Sequence, residues 1–523
     1  MTPLIKPIKW EENKRSLRWL CNLTCLFLLI LAGCNFPQEL PVGLPDSPQR
    51  QTEIAHILNP AELTPPAEGT DQPLVVPETA TDIPPIEFGE GTVTYTIQQG
   101  DTLPALAARF DVSPELIRSS TPLSPSGLLP IGMQVGIPST LADTLPYHSA
   151  IFPDSEVTYG PSVGGFNAAR FAREAGGFLA SYSETVKGQA LTGPEILYLV
   201  ALESSTNPRL LLAFLEYRSG WVLGSPPGAA SDKFPIGYGA DDTGLYNELM
   251  ITAKLLAQGF YGWRDGSLTE LTFSGGASGR LSPALNAGSA SLMKLFASLY
   301  DQPRWEKQLI DPGEFLLFYQ DMFGSYWERA MQVEPYLLAT TSSPDLVLPF
   351  SIGETWSLTG GPHTTWQTGT PFGALDFAPV TGEPPCAASA WWATAAAPGL
   401  VVRSERGVVA LDLDGDGDEG TGWVLIYLHM ADGGRAEVNT WLEQDQQVGH
   451  PSCVGGSASG THLHFARKFN GEWLGVEEPF PLLLSGWQVV PGERRYEGFL
   501  IKADQIVSSR PDGSSGSSII REE

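Results

Sequence analysis

The stretch Ser459-Gly460-Thr461-His462-Leu463-His464-Phe465 decides how the carboxy-terminal part of this 523-residue chain is understood. Its alternation of polar and apolar residues is typical of a β-strand, in which side chains two positions apart lie on the same face. His462 and His464 are therefore predicted to point in the same direction. Two imidazoles in this arrangement can contribute to a metal site.

Further candidate ligands lie upstream of this strand. His363, in Gly361-Pro362-His363, is followed thirteen residues later by Asp376, in Ala374-Leu375-Asp376-Phe377. His429 ends the apolar strand pattern Tyr427-Leu428-His429. A catalytic zinc ion uses three protein ligands and leaves its fourth position to water. The segment therefore offers enough nitrogen and oxygen atoms for zinc, with two histidines left for proton transfer.

The order and surroundings of these motifs resemble the lysostaphin- or LytM-type zinc endopeptidases, which are cell-wall hydrolases. The larger branch of that family has its first ligand four positions before the aspartate, where this chain has Phe372. The longer spacing, the Gly- and Ser-rich residues 455–460 and the preceding Cys453 are similar instead to the staphylolysin branch. The resemblance covers residues 346–495 and implies an all-β antiparallel domain of the duplicated hybrid motif type.

The resemblance also implies a role for each polar group. Three residues would bind zinc: His363, Asp376 and His464. Two would stay unligated and act as catalytic groups: His429 and His462. Tyr427 is a candidate for orienting His429 or for donating to an oxyanion, with packing in the core as its alternative. We interpret His450 as structural, and a degenerate, metal-free domain is the alternative for the whole set.

The amino-terminal residues follow the plan of an export signal. Basic residues precede an apolar run of thirteen residues from Trp19 to Leu31, and small residues then lead to Cys34. Residues 1–33 resemble a bacterial lipoprotein signal, after whose removal Cys34 would carry the lipid. A retained membrane-spanning helix is the alternative, but it needs about 20 apolar residues. We therefore expect an exported protein, lipid-anchored to the outer face of the cell membrane, in the cell envelope.

Composition agrees with export and excludes one class of partner. The chain has 31 Lys and Arg against 59 Asp and Glu, a net charge of −28. A surface this acidic repels phosphate groups, so nucleic acid is not expected as a partner. Beyond Cys34 only Cys386 and Cys453 remain of the five cysteines. In an oxidising compartment such a pair is most simply a disulfide.

Changes of composition divide the chain into a multidomain arrangement. The Pro-rich residues 34–92 predict a disordered linker. Residues 93–139 show a strand, two helical segments and a strand, and they resemble a LysM module, a small α+β fold that would bind N-acetylglucosamine-containing glycans of peptidoglycan. Residues 145–345 have the apolar spacing of a mostly α-helical domain, whose function the sequence does not indicate. The Ser- and Gly-rich residues 496–523 are predicted to be a disordered tail.

Two weaker hypotheses concern acidic residues. The hairpin loop after residue 411 resembles the first half of a calcium-binding loop, although a polar hairpin tip is the alternative. Its candidate ligands stand at alternate positions: Asp412, Asp414 and Asp416. Glu216 ends an apolar helical pattern and resembles the acid of lysozyme-like folds, with a solvated helix end as the alternative.

Taken together, these patterns predict an exported lipoprotein that hydrolyses peptide bonds of peptidoglycan, with a zinc-activated water as nucleophile and a LysM module that binds the glycan. Two alternatives remain open at this point. One is a catalytically inert lipoprotein that binds peptidoglycan or activates other hydrolases. The other is a bifunctional hydrolase in which Glu216 would cut the glycan.

Overall fold

The structure, a computed structural model, describes residues 91–138, 141, 143–225, 233–239, 243–366 and 369–522. The predicted signal peptide, the lipidation site Cys34 and nearly all of the predicted linker lie outside these residues. No helix of the described part combines the length and the apolar character that crossing a membrane requires.

The LysM region folds around a three-stranded antiparallel sheet with one helix and has an apolar core of its own. The helix begins after Thr102, whose hydroxyl accepts the N–H of Ala105. The second predicted helix is only the short 3-10 turn Pro114–Leu116. The elements are β1 (Thr92–Thr96), α1 (Leu103–Phe110), β2 (Arg118–Ser119) and β3 (Gln134–Pro138).

The next region is mostly α-helical, as the apolar spacing predicted. Its helices are α2 (Ala168–Ala175), α3 (Phe178–Ser181), α4 (Gly193–Ser204), α5 (Pro208–Ser219), α6 (Leu245–Asp265), α7 (Ala287–Leu299), α8 (Gln302–Leu309), α9 (Glu314–Phe323) and α10 (Tyr326–Val333). Two small hairpins accompany them: β4 (Ser183–Val186) with β5 (Gln189–Thr192), and β6 (Glu270–Thr272) with β7 (Ser278–Arg280). Leu211, Leu249 and Phe296 are among its fully buried core residues.

A nine-stranded antiparallel sheet forms the carboxy-terminal domain, in agreement with the all-β prediction. Its strands are β8 (Thr355–Thr364), β9 (Phe372–Pro379), β11 (Gly399–Glu405), β12 (Val408–Asp412), β13 (Trp423–Leu428), β14 (Trp441–Leu442), β16 (Leu463–Phe469), β17 (Glu472–Trp473) and β22 (Ser518–Ile520). They lie in the order β14-β11-β12-β13-β16-β9-β8-β22, with β17 paired to β16. Strands β10 (Ala393–Thr394) and β15 (Gln447–Gly449) form a separate pair.

The two faces of this sheet belong to different cores, because side chains alternate along a strand. On β13, Val424 and Ile426 join the core of the helical domain. Leu425 and Tyr427 join a second core. That core includes residues of a four-stranded sheet made of β18 (Leu483–Leu484), β19 (Trp487–Pro491), β20 (Gly498–Lys502) and β21 (Gln505–Ser508). The helical domain therefore covers one face of the nine-stranded sheet.

The prediction of a disordered tail at residues 496–523 is wrong. Strands β20, β21 and β22 lie in this segment, and β22 pairs with β8 at the edge of the large sheet. Leu500 and Ile519 are buried, and Arg521 donates to the carbonyls of Leu348 and Phe350. The prediction failed because the segment is rich in Ser and Gly overall, while its few apolar residues occupy core positions. The carboxy-terminal domain, predicted to span residues 346–495, therefore continues to at least residue 522.

One buried arginine joins the LysM region, the helical domain and the large sheet. Arg264 lies 3.0 Å from Asp154 and 2.7 Å from Glu472, and it donates to the carbonyl of Gln99. Burial lowers the pKa of Arg264, but the negative charges of Glu472 and Asp154 raise it by more than burial lowers it. The guanidinium therefore stays charged. The LysM region is therefore docked onto the rest of the described chain.

Candidate metal centre

Three neighbouring strands bring His363, Asp376 and His464 to one point. His464 lies opposite Asp376 in the pairing of β16 with β9. The register of β8 against β9 shifts between Gly360 and His363, and such irregularities re-aim side chains. As a result, His363 Nε2 lies 3.0 Å from His464 Nδ1. Asp376 Oδ1 lies 3.3 Å from the first nitrogen and 3.2 Å from the second.

The other ring nitrogens determine where the hydrogens are. His363 Nδ1 lies 2.8 Å from the carbonyl of Gly361, and His464 Nε2 lies 3.1 Å from that of Thr365. A carbonyl only accepts, so both of these nitrogens donate and the two nitrogens that meet carry lone pairs. Asp376 Oδ1 is buried and receives no hydrogen bond. Three electron-rich atoms therefore converge without a donor between them.

The spacing of these atoms fits a zinc ion. With bonds of about 2.0–2.1 Å, the ligand atoms of a tetrahedral zinc are about 3.3 Å apart. The three separations here are 3.0, 3.2 and 3.3 Å. The residues present therefore fit the group that the sequence predicted.

His429 and His462 lie beside this point. His462 Nε2 is 3.7 Å from Asp376 Oδ1, and the ring centres of His429 and His462 are 4.5 Å apart. Each Nδ1 donates to a backbone carbonyl, that of Val454 at 3.0 Å and that of Gly460 at 2.8 Å. Each Nε2 therefore carries a lone pair. Burial, followed by the neighbouring His462 and His464, lowers the pKa of His429 to about 3, so this imidazole is neutral at neutral pH.

Tyr427 does not reach the site, so its predicted orienting role is wrong. Its ring is fully buried against Phe465, and its hydroxyl accepts the N–H of Ala396. Strand alternation would place Tyr427 and His429 on one face, but His429 has a left-handed φ of 71°. That conformation ends the alternation and turns the imidazole away from the tyrosine. The alternative of core packing is correct.

Sequence reasoning missed Tyr496 as a neighbour of the site. Its ring stacks on His363, with ring centres 4.2 Å apart and planes inclined by 20°. Backbone hydrogen bonds with Gly361 and Pro362 hold it there. No local pattern could have identified Tyr496, because it lies far from His363 in the chain and at the start of the segment predicted to be disordered.

The predicted disulfide between Cys386 and Cys453 is present. Cys453 precedes Val454, whose carbonyl orients His429. The bridge therefore restrains the segment that holds one of the unligated histidines. His450 packs on Trp392 with ring centres 3.6 Å apart, a contact that agrees with its structural interpretation.

The hypothesis that Glu216 is a second catalytic acid is wrong. Its side chain is fully buried at the end of α5, and Oε2 accepts the N–H groups of Val222 and Leu223 at 2.8 and 2.9 Å. The carboxylate holds the turn after the helix and has no exposed surface with which to contact a glycan. The sequence pattern was misleading because it could not distinguish a solvated helix end from a buried one.

The acidic loop brings Asp412, Asp414 and Asp416 together. Its carboxylates serve the loop itself: Asp412 accepts the N–H groups of Asp414, Gly415 and Gly417. Nothing else in the part of the chain that the structure describes points to calcium here. The polar hairpin tip, which was the alternative interpretation, accounts for these contacts.

The metal centre lies on the face of the sheet that the helical domain covers. Ala374 and Ala466, on the same strands as Asp376 and His464 and two positions away, belong to the helical-domain core. At the rim, Lys187 Nζ of the β4–β5 hairpin is 5.9 Å from the ring centre of Trp366. The helical domain therefore forms part of the surroundings of the site.

The chain is similar to known proteins in three of its parts. Residues 150–336 match the family described as LasA, N-terminal domain, and residues 95–138 match the LysM domain. Protease LasA of Pseudomonas aeruginosa strain UCBPP-PA14 is 25% identical over 289 residues, which are 52% of this chain and 65% of that protein. The protease LasA of strain PAO1 is 24% identical over 290 residues, with the same coverage. The chain thus spans less than two thirds of these relatives.

Similar solved structures include the M23 metalloprotease pseudoalterin from the deep sea, with 21% identity, a TM-score of 0.27 and coverage of 32% of this chain and 96% of that chain. The catalytic domain of the antimicrobial peptidase lysostaphin from Staphylococcus simulans has 19% identity and a TM-score of 0.17, covering 24% of this chain and 89% of that chain. The family and LasA matches confirm the predicted LysM module and the relationship to bacterial peptidases of this group. The match to the LasA N-terminal domain lies within the helical domain.

Proposed function

We propose that this chain is a zinc-dependent endopeptidase that hydrolyses peptide bonds of peptidoglycan. The observation that carries the proposal is the convergence of two imidazole lone pairs and an unpartnered carboxylate oxygen, with two further histidines beside them. None of the five groups is missing. An inert binding or activating protein would have no need of this complete set.

The unligated histidines are suited to proton transfer. Zinc held by His363, Asp376 and His464 would act as a Lewis acid and would activate a water molecule. We expect His429 Nε2 or His462 Nε2 to accept a proton from the attacking water and to return a proton to the leaving peptide nitrogen. The carbonyls of Val454 and Gly460 keep these nitrogens in the accepting state by holding the hydrogens on Nδ1.

Peptidoglycan is the proposed substrate because two parts of the chain point to it. Residues 95–138 match the LysM domain, a glycan-binding module. The similarity to protease LasA covers about half of the chain. The ligand side chains are recessed, since His363, Asp376 and His464 are only 2, 8 and 7% exposed. A thin, extended peptide segment fits such a site better than a folded protein surface.

Digestion of purified peptidoglycan by the zinc-loaded protein, followed by mass analysis of the fragments, tests the proposal. We expect peptide fragments with new amino termini and no new reducing sugar ends. Protein with a His462→Ala substitution is the matched control, because it retains the proposed ligands. Intact peptidoglycan after treatment with zinc-loaded protein would contradict the proposed activity.

We further propose that the chain is exported and lipid-anchored through Cys34, which lies outside the described residues. The disulfide between Cys386 and Cys453 supports an oxidising compartment. Growth of producing bacteria with a labelled fatty acid should label the wild-type chain but not a Cys34→Ala variant. Equal labelling of both proteins would exclude this anchor.

A further inference from the structure

A cleft with a volume of about 440 Å³ lies between the helical domain and the acidic loop of the carboxy-terminal domain. This volume is within the range of about 300–1,000 Å³ found for small-ligand sites. The cleft shares no lining residue with the metal centre. Its chemically distinctive lining residues are three aromatic and three polar: Tyr159, Phe166, Tyr198, Asn167, Arg173 and Asp418.

Of the aromatic residues in this cleft, Tyr198 is exposed to solvent, and Tyr159 and Phe166 are half-buried. Tyr198 is 41% exposed, whereas its apolar neighbours Leu197 and Leu199 on α4 are buried. Burial raises the pKa of both Tyr198 and Tyr159, and the two hydroxyl groups interact. Phe166 is supported from behind by Arg209, whose guanidinium lies 4.2 Å from the ring centre. The cleft therefore presents aromatic surface from three residues rather than from a single side chain.

Polar groups with unused hydrogen-bonding capacity border these rings. Asn167 caps α2 through its carbonyl oxygen, which accepts the N–H of Arg170 at 2.8 Å, so its amide N–H₂ is not used by the cap. Asp418 accepts the N–H of Gly420 through Oδ1 at 2.8 Å. Within the described part of the chain, Asp418 Oδ2 has no hydrogen-bond donor. The exposed Arg173 adds further donors.

The acidic loop holds Asp418 in this position. Asp412 and Asp416 accept backbone N–H groups along the loop, including that of Asp418 at 2.8 Å. Gly420 lies against the carbonyls of Tyr159 and Gly160, and a Cβ there would be only 3.1 Å from the first. This close approach fixes the end of the loop against the helical domain. The loop thus has a role that does not require calcium.

An exposed tyrosine, flanked by two half-buried aromatic rings and next to an amide donor and a carboxylate acceptor, suits one class of ligand. A sugar ring has an apolar face that packs on an aromatic ring and hydroxyl groups at its edge that both donate and accept. The opposite charges of Arg173 and Asp418 favour a neutral ligand over a highly charged one. An N-acetyl group would add an acceptor carbonyl for the amide of Asn167.

We propose that this cleft binds a saccharide unit of an N-acetylated glycan through Tyr198, Asn167 and Asp418. The choice of glycan rests on the proposed function, because peptidoglycan strands consist of such sugars. Together with the LysM module, the cleft would hold the glycan at a second point on a rigidly docked body. A peptide attached to that glycan would then be presented to the recessed metal centre at restricted positions.

Hydroxyl-radical labelling of the full protein, with and without the tetramer of N-acetylglucosamine, tests the inference. Binding in the cleft should protect Tyr198 from labelling, whereas Trp327, a 39% exposed aromatic residue on α10 outside the cleft, should be unaffected. In calorimetric titration, Tyr198→Ala should weaken the cleft site by about 2- to 10-fold, the usual worth of an aromatic contact. Trp327→Ala is the matched control and should bind as the wild type does.

Unchanged labelling of Tyr198 at tetramer concentrations that protect the LysM region would overturn the inference. So would protection of Tyr198 and Trp327 to the same degree, because that would indicate non-specific contact. The measurement does not depend on cleavage and can be made on metal-free protein. Protection of Tyr198 in a protein that fails to cut peptidoglycan would therefore refute only the proposed activity.

Discussion

His363 Nε2 and His464 Nδ1 face each other across 3.0 Å although each imidazole donates its other N–H to a backbone carbonyl. Two lone pairs at this distance repel unless a proton or a cation lies between them. The nearby Asp376 Oδ1 adds negative charge and no hydrogen. We therefore expect a bound cation to stabilise the centre.

The first prediction follows from that relationship. Purified protein should contain about one zinc ion per chain, and chelation should lower its unfolding temperature. Zinc at 100 times its dissociation constant stabilises the native state by about 2.7 kcal/mol. Elemental analysis and calorimetry measure both effects. Absence of zinc in protein never exposed to a chelator, with no thermal shift on adding it, would refute the proposed centre.

Single alanine substitutions should separate ligands from catalytic groups. His464→Ala removes a ligand and should lose zinc and activity together. His429→Ala and His462→Ala should retain zinc but lose about 10²- to 10⁴-fold in turnover, the usual contribution of general acid–base groups. Zinc content and peptidoglycan digestion are measured on the same samples. Full zinc occupancy in His464→Ala would show that the ligand set is wrong.

Removal of the disulfide should affect both stability and the site. In protein that begins after Cys34, a Cys386→Ser, Cys453→Ser double variant should be less stable by about 4 kcal/mol, since the bridge closes a loop of 67 residues. Activity should also fall, because Val454 next to the bridge orients His429. Chemical denaturation measures the first effect. Detection of two free thiols in unreduced wild-type protein would contradict the bridge itself.

Truncation before residue 496 should prevent stable folding. It removes Leu500, Val507 and Ile519, whose burial contributes about 1.5–3 kcal/mol each. Solubility and thermal unfolding of the truncated protein provide the measurement. Removal of residues 522–523 alone is the matched control and should change little. A fully stable protein lacking residues 496–523 would show that these strands are dispensable.

A buried ion network should make stability depend on acid pH. Burial raises the pKa of Glu419, but Arg403 at 2.6 Å and Lys468 at 3.0 Å lower it by more than burial raises it. The resulting pKa is about 2, against an ordinary value of 4.5. A depressed folded-state pKa stabilises the fold above pH 4.5, and this stabilisation of about 3 kcal/mol is lost as the pH falls toward 2.

A Glu419→Gln variant tests this dependence. Its free energy of unfolding should be lower at neutral pH and should fall less steeply between about pH 4.5 and pH 2 than that of the wild type. Denaturant titrations at several pH values give both quantities. Glu477→Gln, at an exposed position, is the control and should leave the profile unchanged. A parallel profile for Glu419→Gln would show that another group causes the acid sensitivity.

Several of these features could be predicted from local patterns. The helical periodicity of residues 195–200 and 210–215 indicated α4 and α5, and the spacing of His462 and His464 indicated a shared strand face. Such patterns succeed because they follow from backbone geometry within a few residues. The errors at Tyr427 and Glu216 have equally local causes, namely one left-handed residue and one helix end whose burial the pattern does not reveal.

The sequence by itself therefore determined which residue types could form a metal centre, the LysM module and the helical character of the middle domain. Only the tertiary structure decided that Tyr496 stacks on His363, that the last strands complete the sheet, and that Tyr198 and Asp418 border one cleft. These pairs are distant in the chain, and their proximity arises from strand pairing and apolar burial summed over the whole domain. Local periodicity carries no information about which distant surfaces meet.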